Sequence, residues 1–191
     1  SYICAAFAAV GLIAIIGFVC VMGIPHLNLH LLFGKYELAG EISILPSIVA
    51  TLLTVLISLI IAIPIGVFTA IFLNEYTKQG SRIVKVIRSA VDILSGIPSI
   101  VYALFGMVTF VVWFGNKTSI LAGSFTISLM LLPTVVRSTE ESLKSVSDSL
   151  REGSYALGAG KIRTIFKVVL PGALPGILSA VVLAMGRVVS E

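Results

Sequence analysis

Five stretches of this 191-residue chain carry no charged side chain, and that pattern decides what it can fold into. No charge precedes Lys35, and Ile3–Ile24 within that run is apolar throughout. The later gaps run from Ile42 to Asn74, Ile93 to Gly115, Thr118 to Val136 and Val168 to Gly186. A hydrocarbon core of about 30 Å takes about 20 helical residues. The gaps therefore predict membrane spans at about 3–24, 44–73, 93–115, 119–136 and 168–189. A straight helix over Ile44–Leu73 would be about 45 Å long at about 1.5 Å per residue, which predicts tilt, a kink at Pro64 or ends standing in the interface. Composition agrees: 58% of residues are hydrophobic and 12% charged, against about 25% charged in a soluble domain. Soluble globules, disordered chains and, with 2 cysteines, disulfide scaffolds are excluded. The expected fold is all-α, a polytopic transmembrane bundle of five spans.

The basic residues set the expected orientation. Loop 25–43 holds Lys35, and loop 74–91 holds Lys78, Arg82, Lys85 and Arg88. Lys117 stands alone in the next loop, and 137–167 carries Arg137, Lys144, Arg151, Lys161, Arg163 and Lys167. Basic loops stay in the cytoplasm, so the N-terminus is expected inside. The first run lacks a basic leader and an A-x-A-like site, so it reads as a span and not as a signal peptide. The sequence opens on Ser1 and closes on Glu191 at the end of an apolar span, and both ends read as cut.

Several chemistries find no site. Cys4 and Cys20 lie within the first span without spaced partners and read as packing or lipid-facing residues. Gly158, Gly160 and Lys161 lack the rest of a phosphate loop, because Ile162 follows the lysine. His26 and His30 have no acidic or cysteine partner at metal spacing, and no nucleophile lies within reach of either. No metal, cofactor or nucleic acid is expected, and neither is an enzymatic role.

The loop at 138–167 is too long and too regular for a plain connector. Ser149 and Glu152 stand as a capping box, which predicts a helix over Leu150–Leu157 stopped by a left-handed Gly158. A second helix is expected to restart near Lys161 and run to Pro171. Leu150, Tyr155 and Leu157 have nothing evident to bury against. They read as a knob for a docking partner or as an interfacial helix resting on headgroups.

The same residues resemble the EAA loop of binding-protein-dependent ABC importer permeases, E-A-A, three residues, Gly, nine residues, I-x-L-P. Glu152-Gly153-Ser154, Gly158, then Val168, Leu170 and Pro171 keep that spacing. Gly153 and Ser154 replace the alanines and Val168 the isoleucine. Gly96-Ile97-Pro98-Ser99-Ile100-Val101-Tyr102, Leu132-Pro133-Thr134-Val135-Val136-Arg137 and Gly186-Arg187-Val188-Val189-Ser190-Glu191 are similar to the PstA-type permeases of phosphate importers, with Ser190 where glycine is usual. The resemblance implies a type I ABC importer permease fold with a cytoplasmic coupling helix, and a further span after this point. It implies a role as half of the translocation pathway for inorganic phosphate. The partners it implies are cytoplasmic ATPase subunits, a second PstC-like permease, an extracytoplasmic phosphate-binding protein and membrane lipid. A permease for another oxyanion (molybdate or sulfate) and a membrane docking protein that transports nothing are the alternatives.

Glu152, Gly153, Ser154, Tyr155, Leu157 and Gly158 are then the expected ATPase-coupling residues. Arg187 is the first substrate-pathway candidate, because a charge inside a span is costly and usually functional. Glu191 stands one turn on and is expected to pair with it, in the pathway or as a structural pair near the outer interface. Arg137 reads as a second pathway cation or as an anchor snorkelling to headgroups, and Asp92 as an N-terminal helix residue favoured by the dipole. Gly172 and Gly176 offer a small-residue face for close helix approach.

Overall fold

The computed structural model describes residues 2–26, 31, 43–77, 81–113 and 118–191. His30, Lys35, Lys78 and Lys117 lie outside the described residues. The elements are α1 (Tyr2–Gly23), α2 (Leu45–Tyr76), α3 (Arg82–Gly96), α4 (Ser99–Trp113), α5 (Ile120–Ser145), α6 (Asp148–Ala156) and α7 (Lys161–Ser190). Helices α1, α2, α5 and α7 are each long and apolar enough to cross a membrane, and α3 with α4 makes a possible fifth crossing.

The chain forms two compact units, Ser1–Ala50 and Thr51–Glu191. In the first, Cys4–Gly23 of α1 is exposed along its whole length and apolar on every side. Such a helix requires lipid or protein around it. Cys4 and Cys20 are free and exposed there. A single 3₁₀ turn, Ile24–His26, follows. The Ser43 hydroxyl accepts from Leu45 N–H at 3.2 Å and opens α2.

In the second unit α5 is the central post. Its neighbours approach closely because the contact positions are glycine: a methyl on Gly176 would collide with Ser142, one on Gly66 with Val135, and one on Gly106 with Thr126. Gly172 and Gly176 therefore seat α7 on α5, as small residues do where helices pack without a hydrophobic driving force. One apolar layer joins Val55, Leu59 and Ala62 to Leu131, Val135, Ala184 and Val188. Another joins Ala70 and Ile71 to Leu143, Val146, Ile165, Val169 and Ala173. Between α2 and α5, the buried Ser58 hydroxyl donates to Ser124 O at 3.1 Å, and Ser128 to the same carbonyl at 2.6 Å.

Three boundaries differ from the sequence expectation. The stretch 93–115 is not one helix: α3 and α4 meet at 101° across Ile97–Pro98. Pro98 disfavours helical backbone at Ile97, which is extended at φ −77°, ψ 128°. The Tyr102 hydroxyl donates to Leu94 O at 2.7 Å and closes the elbow from the other side. Helix α5 continues past Val136 to Ser145, because Glu140 is packed between two cations rather than exposed in a loop. Pro171 does not end a helix either. Wide π-helical geometry over Ile165–Val169 lies directly before it, which makes room for the ring and its missing N–H, and α7 runs on to Ser190. Pro64 likewise lies inside α2 without ending it.

The glycine contacts give a direct test. Gly176→Leu forces a side chain into Ser142 and should destabilise the protein by about 1–3 kcal/mol. Gly17→Ala, whose methyl meets nothing within 4 Å, should be neutral or stabilising, as read by thermal unfolding in detergent.

Candidate functional site

The residues expected to couple to a partner lie on α6 and the turn after it. The helix starts earlier than its sequence suggests. Ser147, not Ser149, is the N-cap, its hydroxyl accepting from Ser149 N–H at 3.3 Å. Asp148 occupies the first turn, where the dipole favours an anion. The Ser149–Glu152 capping box is thus not formed, and the Glu152 carboxylate is exposed with no ion-pair partner among the described residues. The C-terminal end follows expectation. Gly158 sits at φ +80°, Gly158 N–H reaches Tyr155 O at 2.9 Å, and Ala159 N–H reaches Ser154 O at 3.1 Å. These two bonds are the Schellman pair, which only a left-handed residue closes. Gly153 has open space around it. Ser154 faces inward instead, its hydroxyl 2.9 Å from that of the buried Thr164. Leu150, Tyr155 and Leu157 remain exposed, Leu157 at 90%.

Arg151 fixes this helix to the bundle, and sequence reasoning passed it over. Its guanidinium donates to Leu143 O and Val146 O at 2.7 Å each, to Asp148 at 2.9 Å and to Glu75 at 3.2 Å. The carbonyls are those the end of α5 leaves unsatisfied. Glu75, at the end of α2, is 7% exposed and also accepts from Asn74 Nδ2 at 3.0 Å. The available signal was an acidic residue standing alone at the end of a long uncharged span. Lys161 adds a second tie, its ammonium 5.1 Å above the Tyr76 ring.

Beside this joint, α3 crosses α5 through charges. Arg88 pairs with Glu140 at 2.5 Å, Lys144 with Glu140 at 2.7 Å, and Arg137 with Asp92. Asp92 therefore sits in the last turns of α3 as a partner for Arg137, not at the start of a helix. The pairs line a small cavity of about 180 Å³.

Arg187 lies elsewhere, and the expected pair with Glu191 is not formed. Its Nη1 stands 3.5 Å from the Thr134 hydroxyl. Glu191 lies just past the end of α7 and lines a separate cavity of about 360 Å³ with Ser99, Tyr102, Gly106, Thr126 and Met130. Thr134 is 14 residues after the first residue of α5 and 11 before its last, about 21 and 17 Å at about 1.5 Å per residue. Arg187 thus stands beside the middle of α5 and not at either of its ends.

The sequence pattern of the family described as "Binding-protein-dependent transport system inner membrane component" matches residues 62–191. The chain belongs to that family. Among its relatives is the "Phosphate transport system permease protein PstA 1" of Mycobacterium tuberculosis, 44% identical over 128 residues, 67% of this chain and 41% of that protein. The "Phosphate transport system permease protein PstA homolog" of Mycoplasma pneumoniae is 43% identical over 152 residues, 76% of this chain and 23% of that protein. The "Probable ABC transporter permease protein YqgI" of Bacillus subtilis is 32% identical over 190 residues, 99% of this chain and 64% of its own length. The chain thus spans well under half of the first two. A solved MetNI methionine ABC transporter, in an inward-facing conformation, superposes with a TM-score of 0.62 at 24% identity, over 77% of this chain and 68% of that one. That likeness shows the fold, a type I ABC importer permease fold.

As an inner membrane component of a transport system, the chain is a multi-pass membrane protein. The matched stretch begins at Ala62 and takes in Glu75, the elbow, the charged crossing, α6 and Arg187. Arg151→Ala should lower stability by about 3–5 kcal/mol, because it strands Glu75 as an unpaired buried charge. The double variant R151A/E75Q should lie above R151A alone, and unfolding titrations in mixed micelles would read both values.

Proposed function

We propose that this chain is a permease subunit of an ATP-driven importer for inorganic phosphate, forming half of the translocation pathway. The observation that carries the reading is its 44% identity, over two thirds of its length, to a relative named as a phosphate transport permease. The same reading assigns the basic end of the bundle to the cytoplasm and places the N-terminus there. In support, the two basic segments meet on one side: Arg151 reaches Glu75, Lys161 reaches Tyr76, and Arg88 reaches Glu140. Helix α6 is the coupling helix. Its exposed Leu150, Tyr155 and Leu157, with the unpaired carboxylate of Glu152, are the surface for a cytoplasmic ATPase subunit. ATP hydrolysis belongs to that partner. A second, PstC-like permease completes the pathway, and an extracytoplasmic binding protein delivers the anion.

Arg187 is the first station for phosphate. Its guanidinium is exposed, has no carboxylate partner among the described residues, and has the Thr134 hydroxyl beside it. Guanidinium and hydroxyl together donate to phosphate oxygens in the way such anions are recognised. A cation in a membrane-spanning helix is expensive for a bundle to carry, and an anion in transit offsets that cost. Glu191, which has no ion pair among the described residues and lines the neighbouring cavity with Ser99 and Tyr102, is a further candidate for the route. Arg137 is a second station whose charge is held by Asp92 until the anion displaces it.

Two outcomes test the reading. Arg187→Ala in the assembled transporter should abolish phosphate uptake while the ATPase subunits still co-purify, and unchanged uptake would remove Arg187 from the pathway. Gly158→Val places a β-branched residue in left-handed backbone at a cost of about 1–2 kcal/mol or more. It should distort the end of α6 and lower both ATPase co-purification and phosphate-dependent hydrolysis, while Gly153→Ala, in open space, should leave both in place.

A further inference from the structure

Helix α3 carries a second apolar face that nothing in the bundle covers. At about 100° per residue its positions divide into three sectors. Val84, Ile87 and Val91 pack inward against Leu73 and Val136. Ile83, Val86, Ala90 and Ile93 form the neighbouring stripe, and Ile83, Val86 and Ile93 are 60–68% exposed. The remaining arc is polar and holds Arg82, Lys85, Arg88, Ser89 and Asp92. Arg88 and Asp92 are committed to Glu140 and Arg137. Arg82 and Lys85 have no acidic partner among the described residues; Arg82 borders the free stripe, and Lys85 lies at the centre of the polar arc.

The axis of α3 adds a second constraint. Helix α4 is apolar and packs along α5 through Tyr102 and Gly106, whereas α3 turns away from it by 101°. If α4 crosses the bilayer, α3 lies in its plane. The Tyr102–Leu94 bond and the two ion-pair sets hold that angle. A helix in the membrane plane with an apolar stripe on one side and free cations on its polar arc has the arrangement of an interfacial anchor.

We infer that α3 is a lipid-binding surface helix whose occupant is an anionic phospholipid leaflet, with Ile83, Val86 and Ile93 among the upper acyl chains and Arg82 and Lys85 on the headgroup phosphates. Charge complementarity selects the lipid. An apolar protein face covering this stripe would bury Arg82 at its border and leave Lys85 without a counter-charge, whereas an anionic leaflet supplies the counter-charge and the apolar solvent together. Holding α3 on the leaflet also holds the elbow, and through Arg88 and Arg137 it steadies the end of α5.

The test uses the full chain reconstituted in vesicles of phosphatidylcholine and phosphatidylglycerol. The single tryptophan is removed as W113F, and a reporter is placed on the stripe as V86W. Brominated forms of either lipid should quench the reporter, with phosphatidylglycerol preferred. R82Q/K85Q should keep the quenching by phosphatidylcholine and lose the preference, by up to about thirtyfold, from about fivefold for each basic side chain at an anionic surface. R82K/K85R should retain it. Absence of quenching by both lipids would mean that water or protein covers the stripe and would overturn the proposal. So would a phosphatidylglycerol preference that survives in R82Q/K85Q.

Discussion

One guanidinium holds the basic end of this bundle together. Arg151 meets a buried carboxylate from α2, two terminal carbonyls from α5 and the first acid of its own helix. The buried Glu75 carboxylate and the two carbonyls would be costly to leave unpaired in a dry environment, and one planar fork with five donors answers them and the exposed Asp148 together. Arginine suits the position because a lysine ammonium could not present the same fork to carbonyls and carboxylate at once. The consequence is mechanical. A force applied to α6 is delivered to α2 and α5 together, and α5 passes it to α7 through the glycine contacts at Gly172 and Gly176.

The glycine turn at the far end of α6 has a complementary role. The Schellman bonds at Gly158 satisfy the last carbonyls of the helix and redirect the chain, and Ser154 fastens the returning segment through Thr164. Both ends of a 9-residue helix are therefore fixed by polar contacts, while its middle offers Leu150 and Tyr155 outward. A helix this short has little intrinsic stability. Its order comes from the joint and the turn, which lets its exposed residues be chosen for a partner instead of for helix formation.

How much of this was legible in the sequence depended on whether the cause was local. Charge-free runs located the helices α1, α2, α5 and α7, since insertion into lipid is set by composition along the segment itself. Gly158 was readable because a left-handed terminus favours glycine. Gly153 and Ser154 stand where the resembled pattern has alanines, and the packing around them admits both small residues. What failed was non-local. Thr139, Glu140 and Leu143 looked like loop, yet they are buried helix because Arg88 arrives from another element to pair Glu140. Ser149 looked like the cap, but Ser147 took the position. Arg187 and Glu191 have the spacing of a pair, but Arg187 is directed to Thr134 and Glu191 lines a cavity with Ser99 and Tyr102.

The distribution of satisfied and unsatisfied charge separates structure from use. Arg88, Arg137, Lys144 and Arg151 are each matched by an acid from Glu75, Asp92, Glu140 or Asp148, joining helices or, for Lys144, lying along one. The pair most removed from water, Arg151 with Glu75, must be completed to be tolerated. Charges the bundle leaves unmatched then need an external counterpart. Arg82 and Lys85 share a helix with a free apolar stripe, Glu152 stands among the exposed residues of α6, and Arg187 stands beside the Thr134 hydroxyl with no acidic partner among the described residues. A lipid leaflet, a protein and a mobile anion are three different counterparts. Each matches the surroundings of its charge: an amphipathic helix, an apolar knob, and an isolated guanidinium with a hydroxyl donor. On this reasoning Arg137 and Arg187 differ in kind. In the pathway proposed above, an anion reaching Arg137 must first break its pair with Asp92 on α3, whereas Arg187 has no such pair to break among the described residues.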